Sequence, residues 1–128
     1  MKLEHIEYLV IHHSWSADKG TLDWTAIRKY HIEENGWDDI GYHFGIEKVN
    51  NDYAILTGRH RDVVGAHCLE KGMNKKSLGI CVIGNYDPAP PPQEAMDMLV
   101  TLCVGLCREY ELTVDKIVPH HEYASYKT

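Results

Sequence analysis

The sequence has no excess of positive charge, no apolar run of membrane-spanning length, and no leader in which charged residues precede an apolar stretch. Thirteen lysines and arginines against nineteen aspartates and glutamates leave a net charge of −6 with histidines neutral. That balance supplies no phosphate-tracking basic face and argues against a nucleic-acid partner. A bilayer-crossing helix needs about 20 consecutive apolar residues, which the chain nowhere offers. Met1-Lys2 runs straight into a strand-like stretch, so the chain is expected to be cytoplasmic as synthesised, with no membrane segment. Cysteine is sparse: Cys68, Cys81, Cys103 and Cys107 read as reduced, buried thiols and not as a disulfide framework. Repeats, linkers and low-complexity tracts are missing too. What remains is one domain of 128 residues, 44% hydrophobic and 25% charged, large enough for a core.

Histidine is the residue in surplus. Nine are present, where ordinary usage gives roughly three in a chain this long. Such a surplus points to metal binding or proton transfer. Two histidine pairs each follow a short apolar run: His12-His13 after Leu9-Val10-Ile11, and His120-His121 after Ile117-Val118-Pro119. Apolar runs that end abruptly in polar residues read as buried strands. In open α/β sheets, ligands gather at such strand ends. Alternation along a strand sends only one of each adjacent pair to a given face, so the candidates are His12 or His13 and His120 or His121. Neutral imidazoles suit zinc, and catalytic zinc sites hold three protein ligands plus a water. The plainer alternative is that these are surface or hydrogen-bonded structural histidines.

The elements follow from pattern. Thr21 or Asp23 caps a helix running to about Asn35, with Trp24, Ile27, Tyr30 and His31 facing inward and Asn35-Gly36 closing it. Tyr42 to Ile46 begins a strand, Val49 to Asp52 turns, and Tyr53 to Leu56 returns as its hairpin partner. Thr57 to His67 reads as irregular. Ser77 to Gly84 reads as a central strand covered on both faces. Four prolines between Asp87 and Pro92 break any regular element before a helix over Gln93 to Tyr110. Its apolar stripe is Met96, Leu99, Val100, Cys103, Leu106, Cys107 and Tyr110. Cys103 and Cys107 are four apart and able to clip a metal, but sharing that stripe assigns them to the core. A last strand covers Lys116 to Val118. The fold class is α/β: a single domain with a central mixed β-sheet flanked by helices.

Four blocks occur in order: Ile11-His12-His13-Ser14; Gly36-Trp37-Asp38-Asp39-Ile40-Gly41-Tyr42-His43-Phe44; Val64-Gly65-Ala66-His67 with Asn74 and Ser77-Leu78-Gly79-Ile80; and Pro119-His120-His121-Glu122. Together they resemble the type 2 N-acetylmuramoyl-L-alanine amidases, a group that includes phage lysozyme-type amidases and animal peptidoglycan recognition proteins. The resemblance covers essentially the whole chain. It implies a zinc hydrolase that cuts the amide between N-acetylmuramic acid and the L-alanine of the peptidoglycan stem. His12 and His120 match the family's two histidine ligands, and Tyr42 the tyrosine beside the metal. Lys127 matches the lysine that precedes the third ligand. His67 and Asn74 fall in the block lining the substrate groove, with His13 and Trp37 as further candidate substrate contacts. Trp37 reads equally as a core residue or a sugar platform.

The sequence departs from the family at one point. There, a cysteine or aspartate two residues after the lysine is the third zinc ligand; here Thr128 follows Lys127 and is the last residue given. The expectation is therefore an amidase-type domain lacking that segment, with zinc held weakly or not at all. Two functions stay open: a zinc amidase, as in a phage or prophage lysin or a recycling enzyme, and a muropeptide-binding module that does not cut. Peptidoglycan or a muropeptide is the partner of both.

Overall fold

The computed structural model describes residues 5–13, 23–68, 70–83 and 92–119. Five strands are present among them: β1 (Tyr8–His13), β2 (Phe44–Val49), β3 (Asp52–Thr57), β4 (Ser77–Val82) and β5 (Ile117–Pro119). They form one sheet in the order β3-β2-β4-β1-β5. β1 and β2 flank β4 in parallel, β5 runs parallel to β1, and β3 is antiparallel to β2. The sheet is mixed, as the pattern predicts. β4 lies at its centre and all six of its residues are buried, which is why that run is nearly continuously apolar. β1 overruns the apolar Leu9-Val10-Ile11 at both ends, starting at Tyr8 and extending through both His12 and His13. β5 is likewise displaced by one residue towards Pro119.

Local chemistry sets the connections. Asn50 and Asn51 take φ of 52° and 73°, so the β2–β3 turn has two left-handed central residues, matching the twist of the hairpin it closes. Helix α1 (Trp24–Glu33) is capped by Asp23, whose carboxylate accepts from the Ala26 N–H at 2.6 Å. Gly36, at φ 73°, ends the turn after it. Helix α2 (Gln93–Tyr110) has the bounds its apolar period predicts and begins after Pro92. Ala95, Cys103 and Leu106 form its buried line. Val100 does not belong to that line and is 54% exposed. It lies about 100° around the helix from Leu99, enough to carry it off the stripe. No helix among the described residues is long and apolar enough to cross a membrane.

Alternation gives the sheet two unlike faces. On one, Leu9, Leu78 and Ile80 pack with Phe44 and with Cys103 and Leu106 of α2. On the other lie Val10, His12, Gly79 and Cys81. Val10 packs with Cys68, Met73 and Val118, while Cys81 joins Ile27 of α1, Ile40 and Tyr42. This second face is closed by α1 and by residues 58–68 and 70–76. Arg59 ties that segment down by donating to the carbonyls of Ile40 and Val64, both at 2.8 Å. Arg61 pairs with Glu109 on α2 and lies over the Phe44 and Tyr110 rings at 5.6 and 6.0 Å.

Candidate functional site

His12 is the penultimate residue of β1 and only 2% exposed. Its register partner is Cys81 on β4, and it shares a face with Val10. From there its ring meets two others. Its Nε2 is 3.1 Å from Nδ1 of His67, a hydrogen bond in which one nitrogen donates and the other accepts. The Tyr42 ring centroid lies 5.1 Å from that of His12. Three residues far apart in sequence thus converge at the C-terminal edge of parallel strands, where helices and loops leave room for a ligand.

His67 lies against the sheet over Gly79 of β4. A Cβ at Gly79 would come 2.5 Å from the His67 ring, so only glycine admits the imidazole there. Gly65 clears the other side: its missing Cβ would fall 2.7 Å from His67 and 2.8 Å from His43. His43 completes a row of three rings, 5.8 Å from His67 and edge-on to it. It accepts at Nδ1 from the Gly79 N–H (3.0 Å) and donates from Nε2 to the Val63 carbonyl (2.7 Å). These bonds fix one neutral tautomer. Burial drives the His43 pKa down to about 4; the bond to Val63 opposes this and the nearby Arg59 charge adds to it.

Tyr42 is buried with Ile27, Ile40, Cys81 and Ile83, and its ring also neighbours His31 at 5.7 Å. His31 accepts at Nδ1 from the Gly41 N–H (2.9 Å) and packs against Trp37 at 4.7 Å. Trp37 is therefore a half-buried wall of the turn that delivers Tyr42. Asn74 uses its side-chain carbonyl to hold the N–H groups of His67 and Cys68, at 2.8 and 2.7 Å. It also lines a groove of about 590 Å³ with Asp38, Asp39, Arg59, His60 and Lys75. Gly65 lines the same groove, so groove and imidazole row share a wall.

The structure brings His12, Tyr42 and His67 together and sets Asn74 behind His67. His13 falls on the opposite face of β1, the side of Ile11 and α2. His120 and Lys127 lie outside the described residues. Among the described residues, no three His, Cys, Asp or Glu side chains converge as a metal cluster. Cys68, Cys81 and Cys103 are buried and Cys107 is half-buried. Burial pushes the Cys103 thiol up to about 11, as a core residue requires. The sequence pattern placed His31 on the inner face of its helix but gave no task to His43, Gly79 or Arg59. The hydrogen-bond partners of His43 and Arg59 lie 20 or more residues away or in the backbone, where no spacing rule reaches them.

Comparison with known proteins decides the family. Residues 2–128 match the N-acetylmuramoyl-L-alanine amidase family. The endolysin of Klebsiella phage KP32 is 37% identical over 116 residues, covering 85% of this chain and 72% of that protein. The chain belongs to the N-acetylmuramoyl-L-alanine amidase family. Peptidoglycan-recognition protein LB of Drosophila melanogaster is 33% identical over 131 residues, covering 94% of this chain. The chain spans about half the length of that fly protein, 54%. Among solved structures, peptidoglycan recognition protein-LE in complex with tracheal cytotoxin, a monomeric diaminopimelic acid-type peptidoglycan, matches with a TM-score of 0.77. It is 29% identical, covering 98% of this chain and 75% of that one. The mixed sheet with helices on its faces is the amidase and peptidoglycan-recognition fold.

Proposed function

We propose that this amidase-family chain hydrolyses the amide between N-acetylmuramic acid and L-alanine of peptidoglycan, with zinc as its metal. The observation that carries the reading is the meeting of buried His12 with Tyr42 at the C-terminal edge of β1. β1 and β5 pair in parallel, Val10 with Val118 and Ile11 with Pro119, and Val10 and Val118 share a cluster on the His12 face. His12 follows Ile11 and His120 follows Pro119 in the chain, and the reading assigns both histidines to one metal. The donor chemistry fits, because a buried neutral imidazole is an ordinary zinc ligand. When bound, zinc supplies a Lewis acid and lowers the pKa of its water to about 7.

The chain's own groups do the rest in this reading. The Tyr42 hydroxyl donates a hydrogen bond to the oxygen that becomes negative as the amide carbonyl is attacked, and Lys127 is its proposed partner there. The apolar wall of Ile27, Ile40 and Cys81 behind Tyr42 keeps water back and strengthens that bond. His67 orients His12. Together with Asn74 and Trp37 it borders the stretch where the stem peptide is proposed to lie; His13, on the other face, has no part in that arrangement. The test is release of stem peptide from a purified muropeptide with zinc present, read by mass spectrometry. Tyr42→Phe is expected to slow release about 10²–10³-fold, the loss seen when one oxyanion donor is removed. His12→Ala should abolish it.

A second reading, binding without cleavage, is favoured by the polar groove beside His67 and by the likeness to a recognition protein solved with tracheal cytotoxin. Titration calorimetry with the same muropeptide separates the two. Heat of binding with no release, unchanged in a chain extended after Thr128 by Cys-Pro-Gly, would leave the binding module and remove the amidase.

A further inference from the structure

We propose that His43 is a positioning residue: by clasping Gly79 and Val63 together it fixes the imidazole of His67 against that of His12. His43 is 1% exposed, and both its ring nitrogens are committed to backbone groups. It therefore presents no nitrogen to a substrate and acts only through what it holds.

It holds a great deal. Its own N–H donates to the Gly79 carbonyl at 2.9 Å while its Nδ1 accepts from the Gly79 N–H at 3.0 Å, so one residue engages both backbone groups of one glycine. That glycine is the floor on which the His67 ring rests, with no side chain between them. Any shift of Gly79 passes directly to the ring. The other nitrogen anchors Val63, four residues before His67, and so sets where the segment enters the site. His43 also touches His67 edge-on, which blocks the ring from swinging away from His12. Strand, loop and ring are thus tied at one imidazole. A phenylalanine would fill the same space and keep the main-chain bond to the Gly79 carbonyl, but it would lose both imidazole bonds, to the Gly79 N–H and to the Val63 carbonyl.

The test reads the rings themselves and needs no turnover, so its failure is separate from a failure of the amidase reading. The full chain is labelled with ¹⁵N- and ¹³C-histidine and its imidazole signals are followed by NMR. In the wild type, His67 should show one tautomer and ring-to-ring contacts to His12 and His43. In His43→Phe, the single-tautomer pattern and the contact to His12 should be lost while amide signals of α2 stay in place. His43→Asn keeps an acceptor for Gly79, and His43→Gln keeps a donor that reaches Val63; each should restore part of the pattern. Wild-type His67 signals in a folded His43→Phe would overturn the proposal, as would a wild-type His67 already sampling both tautomers. If His43→Phe does not fold, the other two variants decide. Altered His67 signals in either support the proposal, and unaltered signals in both overturn it.

Discussion

Leu78 and Gly79 are neighbours in β4, yet they face opposite kinds of surroundings. Leu78 enters a core of aliphatic residues closed by α2, where shape and apolar area are all that matter. Gly79 lies under the His67 ring and gives its N–H to His43, in a row of imidazoles held by directional bonds. The grooves repeat the contrast. The one beside α2, about 420 Å³, is bounded by Val100, Val104, Leu112 and Ile117. The one beside His67 is bounded by aspartates, Arg59, Asn74 and Lys75. A single strand thus separates a side that makes stability from a side that makes geometry. The first tolerates repacking, and the second depends on where individual nitrogen atoms sit.

Substitutions at adjacent positions sharpen this contrast. Leu78→Ala should have the largest effect, about 2–5 kcal/mol in urea unfolding, because a fully buried leucine leaves a cavity. Its His67 ring signals should nonetheless stay near wild type.

Acidification breaks the other side. His43 has a folded pKa of about 4 against an ordinary 6.5, so between those values the unfolded chain binds a proton that the folded chain refuses. The stability it contributes is complete above about pH 6.5 and is lost as pH falls towards 4, by about 3 kcal/mol. Urea midpoints at pH 7 and pH 4 should therefore diverge less in His43→Asn than in the wild type. An identical divergence would remove His43 as the cause.

Gly79→Ala should cost about 1–3 kcal/mol, the usual penalty of overpacking, but displace His67 and end any zinc or muropeptide binding that needs it. Retained ring contacts between His12 and His67 would contradict the contrast between the faces. Val100→Ser, on the exposed side of α2, should change stability by less than about 0.5 kcal/mol.

Much of the frame was readable beforehand because it rests on local periods. The bounds of α2, the buried β4 run and the Asn50-Asn51 turn each follow from residues within one or two turns of chain, while the helix cap was narrowed only to Thr21 or Asp23. Of the site, His12, Tyr42, His67 and Asn74 could be named, since they sit in short recognisable blocks. The choice between His12 and His13 needed the resemblance as well, because alternation alone says that they differ and not which one faces the site. His43 could not be assigned a task from sequence: its partners are Val63, 20 residues on, and Gly79, 36 residues on.

The sequence by itself determined the alternation of strand and helix and the family. Those properties depend on neighbours along the chain. Only the folded structure decided that His12, His67 and His43 stand in one row, that Gly65 and Gly79 exist to admit them, and that His13 faces away. Each of these depends on strand order and register, which set atoms tens of residues apart within a hydrogen bond's reach.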